Sequence, residues 1–332
     1  MSTANFLSQT TSLRRRSTQN ALKIVEDLWF PEADLILRAD DAIFCVYGGF
    51  LGTRSSVFRD MISFPQPTTS TQTEGEMMNG RAVVRLHDSA TETTSFLRAV
   101  FDSSFFMPPP SPVKFEDIIG VLRLAHKYDV SYLFRRALSR LDVLYPTNLA
   151  KRVQYRSQTH IQFPSSDAMI DMISLKAACE VGATWMLPTV YYAIAQVDDL
   201  LDHAPDYLET HQIQACLASQ SKLMRAHASS YRFLRYLPLV GCSSAYHCRR
   251  TVEGAYEELE FRSERFRDMD PLGMSVFSYR DCDDLCPECH KFNAAKLSEA
   301  QQVFWKNLPA LFVLPKWDEL KEMRRRAMED TT

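Results

Sequence analysis

The residues best suited to chemistry in this chain are two groups of cysteines in its second half. Cys242 and Cys248 are separated by five residues, and Cys286 and Cys289 form a Cys-x-x-Cys motif. A tight Cys-x-x-Cys turn directs two thiolates at one ion, and four thiolates in a tetrahedron are typical of structural zinc. The spacing therefore predicts one structural zinc ion on these four cysteines. Three neighbouring side chains are alternative ligands: His247, Cys282 and His290.

Other interpretations of the cysteines remain open. They are also consistent with unligated thiols that pack as small hydrophobic groups, as we expect for Cys179 and Cys216 on apolar helix faces. A redox Cys-x-x-Cys usually follows a thioredoxin-like βαβ pattern, which this sequence lacks. A catalytic zinc would need an open position and a general base, for which only Glu288 is at hand.

Composition and motifs point away from enzymes and from membranes. The sequence contains no Gly-x-Ser-x-Gly, Walker, Rossmann or His-Glu-x-x-His signature, so we expect no catalytic residues. It has no apolar run long enough to span a membrane. Eight cysteines without a secretory signal indicate a reducing compartment, so we expect an intracellular protein of the cytoplasm or nucleus.

The charge of the chain gives no sign of a specific nucleic-acid ligand. The formal net charge is −3, and basic clusters occur only as arginine triplets at 14–16 and 324–326. The second triplet is predicted to end a helix, where arginines complement the helix dipole and remain solvated. The cysteine pattern is not that of a C2H2 finger, because no basic recognition helix follows it.

The elements that must position the cysteines are helices. From 150 to 330 the sequence shows helix after helix, with the two cysteine groups on either side of an amphipathic segment at 250–266. Pro188 is predicted to start one helix and Thr210 to cap another. Leu308-Pro309 is predicted to break a third.

The first half has a different pattern, typical of a small sheet with helices around it. The spacing predicts a lead-in helix over 20–30, strands over 34–37, 42–50 and 82–88, and a helix over 53–64. Residues 1–19 are predicted to be a flexible tail and 66–80 a mobile loop. Ser89 with Glu92 is predicted to form a capping box, and Ser131 to cap a later helix.

These elements resemble the BTB/POZ domain, and most closely the BTB proteins of mushroom-forming fungi. The residues that carry the resemblance are the first two strands, the segment Arg54 to Met61, the strand 82–88 and Leu124-Ala125-His126-Lys127-Tyr128, which matches the family's Leu-Ala-x-Lys-Tyr pattern. Tyr47 stands where the family usually has a histidine. The predicted class is thus α+β, with a BTB/POZ-like domain over 20–146 and a mainly α-helical region over 150–330.

The resemblance implies a protein-interaction scaffold or adaptor that forms a homodimer. The family's equivalent of the 53–64 helix contributes to the dimer interface, which implies that role for its apolar face: Val57, Phe58, Met61 and Ile62. A helical region after a BTB domain often helps to bind a cullin-type scaffold, so a cullin is a candidate partner. A transcriptional co-regulator in the nucleus is the alternative function, and a zinc-dependent enzyme is a more distant one.

Overall fold

The computed structural model describes residues 22–63, 77–78, 80–152, 160–164, 167–197, 200–262, 270–272 and 284–329. Among these residues, no helix combines the length and the apolar character that crossing a membrane requires. The predicted tail at 1–19 and most of the predicted loop at 66–80 lie outside the described residues.

A five-stranded sheet organises the first half. Its strands in spatial order are β1, β3, β2, β5 and β4. β2 and β3 form an antiparallel hairpin, β1 pairs parallel with β3, β5 pairs parallel with β2, and β4 pairs antiparallel with β5. The bounds are β1 Lys23–Trp29, β2 Leu35–Ala39, β3 Ala42–Val46, β4 Met77–Met78 and β5 Arg81–Leu86.

The β2–β3 hairpin is the central part of this sheet. Its turn places Asp40 at a φ of 49°, a left-handed conformation that Asp tolerates better than most residues. Every residue of β3 is buried, because helices cover one face of the sheet. Ala33, Ile36 and Cys45 form a small cluster of their own on the other face. Burial on both faces accounts for the continuous apolar runs in these strands.

Two predictions about this sheet are wrong. The segment predicted as a lead-in helix is strand β1, whose residues Lys23 and Ile24 pair with Ala42 and Ile43 of β3. Pairing with the free edge of β3 satisfies backbone groups over a long sequence distance, which local spacing does not reveal. The second predicted strand ends at Val46 rather than at 50, because the next helix begins there.

Five helices pack against the sheet. They are α1 Gly48–Arg54, α2 Ser56–Ser63, α3 Ala90–Phe101, α4 Phe115–Lys127 and α5 Ser131–Asp142. The helix predicted over 53–64 is thus two helices separated by Ser55. The Ser55 hydroxyl donates to the backbone oxygen of Tyr128 and accepts from Phe58 N–H at 3.1 Å, which holds the break against α4.

The predicted helix caps are corrected in detail. Ser89 accepts from Glu92 N–H at 3.2 Å, but the Glu92 carboxylate pairs with Arg123, so the reciprocal half of the capping box is missing. Ser131 is the first helical residue of α5 and not its cap. The capping box at 210 is built by the preceding residue, Glu209, with Gln212.

The second half is helical, as predicted. Its helices are α6 Leu149–Arg152, α7 Asp167–Glu180, α8 Leu187–Ile194, α9 Leu200–His203, α10 Thr210–Ser230, α11 Ala245–Arg262, α12 Pro287–Leu311 and α13 Trp317–Met328. A short parallel pair, β6 Val113–Lys114 and β7 Ile161–Gln162, joins this half to the first. Pro188 lies in the first turn of α8 as expected, whereas Pro309 lies inside α12 and does not end it. The chain is therefore a mixed α/β protein with a small sheet and many helices.

One apolar core runs through both halves. It extends from Leu28 in β1 to Leu320 in α13. At its edge, Asp142 accepts from Trp185 Nε1 at 2.8 Å and from Arg324 Nη2 at 2.7 Å. This ion pair fastens α13 to α5. It corrects the prediction that the last arginine triplet is simply solvated.

Candidate metal centre

A second, separate core lies around the predicted cysteines. It consists of ten buried residues from the 3-10 helix at Arg232–Tyr236, the loop after it, α11 and the start of α12. Its members are Tyr231, Phe233, Leu234, Leu237, Cys248, Val252, Ala255, Leu285, Cys286 and Cys289. Three of the ten are thus cysteines, and a fourth, Cys242, packs against them half-buried.

The four predicted ligands converge. The Sγ atoms of Cys242, Cys248, Cys286 and Cys289 all lie within 4.8 Å of one another. Cys242 Sγ and Cys286 Sγ are 3.5 Å apart, far beyond a disulfide bond, and all four thiols are free. In a tetrahedral site with Zn–S bonds of about 2.3 Å, neighbouring sulfurs lie about 3.8 Å apart. The cluster therefore has the size that a Cys₄ zinc site requires.

Two helix N-termini bring these side chains together. Cys248 lies in the first turn of α11, and its N–H donates to Ser244 O at 2.9 Å. Cys286 is the N-cap of α12, and Cys289 follows in the first turn of that helix. Cys242 is held in a turn by a hydrogen bond from its N–H to Leu239 O at 3.0 Å. The positive ends of two helices thus face the cluster, where they favour thiolates over thiols.

The thiols of the cluster differ in their pKa values. The backbone N–H of Cys289 lowers the pKa of the Cys286 thiol to about 6. Burial raises the pKa of the Cys289 thiol to about 12 and also raises the pKa of Cys248. The N–H of Cys286 donates to Cys248 Sγ at 3.2 Å, as it would to a metal-bound sulfur. Four thiolates at this distance repel one another, and a divalent cation between them removes that repulsion.

Neither of the two alternative ligands that the structure describes joins the cluster. His247 and His290 are exposed, and each precedes or follows a ligating position by one residue. Cys282 lies outside the described residues. Glu288, the candidate general base, is exposed on the first turn of α12. Four thiolates already complete a tetrahedron, so the arrangement is closed and suits a structural ion rather than a catalytic one.

The remaining described cysteines lie outside the cluster. Cys216 is fully buried in the main core, and burial raises the pKa of its thiol to about 12. Cys45 is buried in β3 and packs on the outer face of the sheet. Cys179 was also predicted to be buried, but it is exposed at the end of α7.

The predicted interface residues on α2 are split between core and surface. Phe58 is 0% exposed and belongs to the main core, so it offers no surface to a partner. Val57 and Met61 are half-buried against the same core, and Ile62 is exposed. Helical spacing alone could not separate these cases, because the break at Ser55 changes which face α2 turns towards the sheet.

An aromatic surface that the sequence interpretation missed lies beside Ile62. We call it the α1 surface; it consists of Phe30, Tyr47, Phe50, Ile62 and Phe101. The ring centroids of Phe30 and Tyr47 are 5.6 Å apart, and those of Phe50 and Phe101 are 5.3 Å apart. Tyr47 and Phe50 remain 43% and 40% exposed. Tyr47 and Phe50 lie in the segment predicted as the end of the second strand, and strand spacing does not reveal that they share a surface.

The α1 surface is continuous because α1 and α2 meet closely. A Cβ added to Gly48 would lie 3.4 Å from Ile62 Cδ1 and 3.4 Å from Leu35 Cβ. Gly48 N–H donates to Asp34 Oδ1 at 2.8 Å, which fixes the start of α1 against β2. Ile62 therefore lies next to the first turn of α1, on the same side of the molecule.

Comparison of the chain with protein-family models, with curated proteins and with solved structures found no match. Function is therefore argued from the cysteine cluster and the α1 surface themselves.

Proposed function

We propose that this protein is an interaction scaffold without catalytic activity. Its BTB/POZ-like N-terminal module pairs with a second copy of the chain through the α1 surface. Its C-terminal region carries a structural zinc ion on Cys242, Cys248, Cys286 and Cys289. The single observation that carries the proposal is the α1 surface, a contiguous set of half-exposed aromatic side chains on an otherwise well-packed sheet module.

The order of elements supports the BTB-like module. A β-hairpin is followed by two short helices, a strand parallel to the hairpin's first strand, and three further helices. Apart from the division of the predicted 53–64 helix into α1 and α2, this is the order of elements on which the resemblance rests. The Lys127-Tyr128 end of the family-like motif has a clear structural role, because Lys127 Nζ lies 2.6 Å from Asp88 Oδ1 and the Tyr128 hydroxyl donates to Asp88 Oδ2. These contacts tie the end of α4 to the end of β5.

The chemistry of the α1 surface supports a protein partner. Aromatic side chains with arginine are enriched at the centres of protein interfaces. Here the Arg54 guanidinium lies 5.4 Å from the Phe50 ring centroid and 5.7 Å from that of Tyr132. A two-fold pairing of the same patch on two copies would bury both sets of rings at once.

Light scattering of the purified chain tests the pairing. At micromolar concentration we expect a mass about twice the 38.1 kDa of one chain. Phe50→Glu with Ile62→Glu should reduce it to the mass of one chain, because two charges would be buried without partners. Leu217→Glu, at another exposed apolar position on α10, is the matched control and should leave the dimer intact. A wild-type monomer would overturn the pairing.

Elemental analysis tests the zinc site separately. We expect one zinc per chain, and loss of helical signal when a strong chelator removes it. Less than about half a zinc per chain, with no change of helix on chelation, would reject the structural ion. The two experiments are independent, so failure of one leaves the other part of the proposal standing.

A further inference from the structure

An unusual distribution of charge surrounds the first half of the cysteine cluster. No Asp or Glu occurs between Glu209 and Glu253, whereas this interval contains one Lys and five Arg. The whole chain has 41 acidic residues among 332, so an interval of this length would ordinarily contain several. The positive charge is therefore local, and the net charge of −3 conceals it.

All five arginines of this interval are exposed and have no carboxylate partner among the described residues. Arg225 lies on α10, where its Nε donates to Ser221 O at 3.2 Å, and the other four lie between 232 and 250. These four are Arg232, Arg235, Arg249 and Arg250. The terminal arginines behave differently: Arg325 and Arg326 bind Glu322 on the same helix, and Arg325 also binds Glu329. Of these two exposed arginine clusters, only the one at the cysteines is free to bind an external anion.

Two aromatic rings stand among these arginines. Tyr236 is 71% exposed and Tyr246 is 77% exposed, values unusual for such large side chains. Their chain neighbours Leu234, Leu237 and Cys248 are buried in the second core, whereas the two tyrosine side chains lie outside it. The four converging cysteines hold the two segments that carry the tyrosines, the 3-10 helix at Arg232–Tyr236 and the start of α11.

The helices that follow in the chain carry charges of both signs. The start of α12 carries exposed groups of both signs: Asp284, Glu288, His290 and Lys291. On α11, the exposed Glu253 follows the arginine pair by one turn. Within the segment 232–250, which carries the four arginines and the two tyrosines, His247 is the only other exposed titratable side chain. Lys222 and Arg225 on α10 are exposed as well.

We propose that this surface binds single-stranded nucleic acid without sequence preference, the arginines contacting phosphates and the two tyrosines stacking on bases. Stacking needs bases that are not paired in a duplex, and exposed rings in a basic groove are the usual platform for it. An acidic peptide would form ion pairs with the arginines, but its binding would not require stacking on the two tyrosine rings. The proposal does not depend on the scaffold function or on pairing of two chains.

Fluorescence anisotropy with a labelled oligo(U) 20-mer and the intact, metal-loaded chain is the test. If each of the four arginines contacts one phosphate, the slope of log K against log salt should be about −2.8. Arg249→Gln with Arg250→Gln should bring it to about −1.4. Tyr236→Ala or Tyr246→Ala should weaken binding roughly five- to 150-fold, with little change of slope.

Arg325→Gln with Arg326→Gln is the matched control, because those arginines are already paired, and it should leave binding unchanged. Each variant is used only if its zinc content and circular dichroism equal those of the wild type. Three results would overturn the proposal: no binding at 50 mM salt, equal affinity for a duplex of the same length, or displacement by polyglutamate together with unaffected tyrosine variants. The last result would assign the surface to an acidic peptide.

Discussion

The two cores of this protein are stabilised in different ways. The main core joins the sheet to helices from both halves and includes many fully buried Leu, Ile and Phe side chains. The second core has ten buried residues, three of which are cysteines. Burying one large apolar side chain contributes about 1.5–3 kcal/mol, so a core of this size offsets little of the entropy cost of ordering its segments.

The proposed zinc ion would change that balance for the second core. Binding of structural zinc contributes about 10–16 kcal/mol in small zinc-dependent domains. This exceeds what a few buried leucines supply, and small cores generally need such support. We therefore predict that loss of the metal unfolds the second core, whereas loss of a buried apolar side chain destabilises the main core.

The largest effect is expected from removing one buried ligand. Cys248→Ser should abolish zinc binding and leave the second core without its metal, because three thiolates do not close the tetrahedron. Hydrogen exchange read out by mass spectrometry should show faster exchange in α11 and at the start of α12, with the sheet unchanged. Cys179→Ser, at an exposed thiol outside the cluster, is the control and should change neither. Rapid exchange throughout the sheet would show that the two cores are not independent.

Removing a buried apolar side chain should affect the main core alone. Phe58→Ala removes a fully buried ring, and substitutions of this kind cost about 3–5 kcal/mol. We expect a lower urea midpoint for the sheet module and an unchanged zinc content per chain. If Phe58 instead lay in an interface, the loss of stability would be small and the mass in solution would change.

These two experiments address what the sequence could and could not predict. The four cysteines could be predicted because the spacing of ligands within each pair is a local property, and the structure places all four Sγ atoms within 4.8 Å of one another, as one shared site requires. Strand β1 was misread, because its partner β3 lies further along the chain and Leu22, Val25 and Leu28 also fit helical spacing. The α1 surface was not predicted for a related reason. The start of α1 is fixed by a hydrogen bond from Gly48 N–H to Asp34, which lies 14 residues earlier, and local spacing does not reveal this contact.

A smaller effect is expected where α13 meets α5. Asp142→Asn leaves the Arg324 guanidinium without its charged partner but keeps an acceptor for Trp185. Hydrogen bonds to a charged group contribute about 1.5–3 kcal/mol. The Arg324 side chain is 40% exposed, so we expect the lower part of that range. Increased proteolysis at the end of α13, with zinc content unchanged, is the measurement; Arg325→Gln serves as control because that residue pairs only along its own helix.

Lowering the pH should destabilise the second core before it destabilises the sheet module. Metal binding to cysteines releases protons, so lowering the pH protonates the thiolates and releases zinc from the second core. At the surface of the sheet module, hydrogen bonding to Arg98 lowers the pKa of Asp27 below 3.8. A carboxylate whose pKa is lowered in the folded state adds stability above its unfolded pKa and loses it as the pH falls through the folded value. We therefore expect the proposed zinc to be released at a higher pH than the one at which the Asp27–Arg98 pair is lost, which zinc content and urea midpoint measured against pH would show.

The Asp27 effect is the smallest that we predict. Arg98 Nε lies 2.6 Å from Asp27 Oδ2 and Nη2 lies 3.1 Å from Oδ1, but both side chains are more than a third exposed. Solvent screening limits such pairs to less than about 1 kcal/mol. Asp27→Asn should lower the urea midpoint slightly at pH 7, and the difference from wild type should shrink as the pH falls below 3.8. A difference that grew on acidification would mean that Asp27 is more stable protonated, and that β1 is held to α3 by something other than this ion pair.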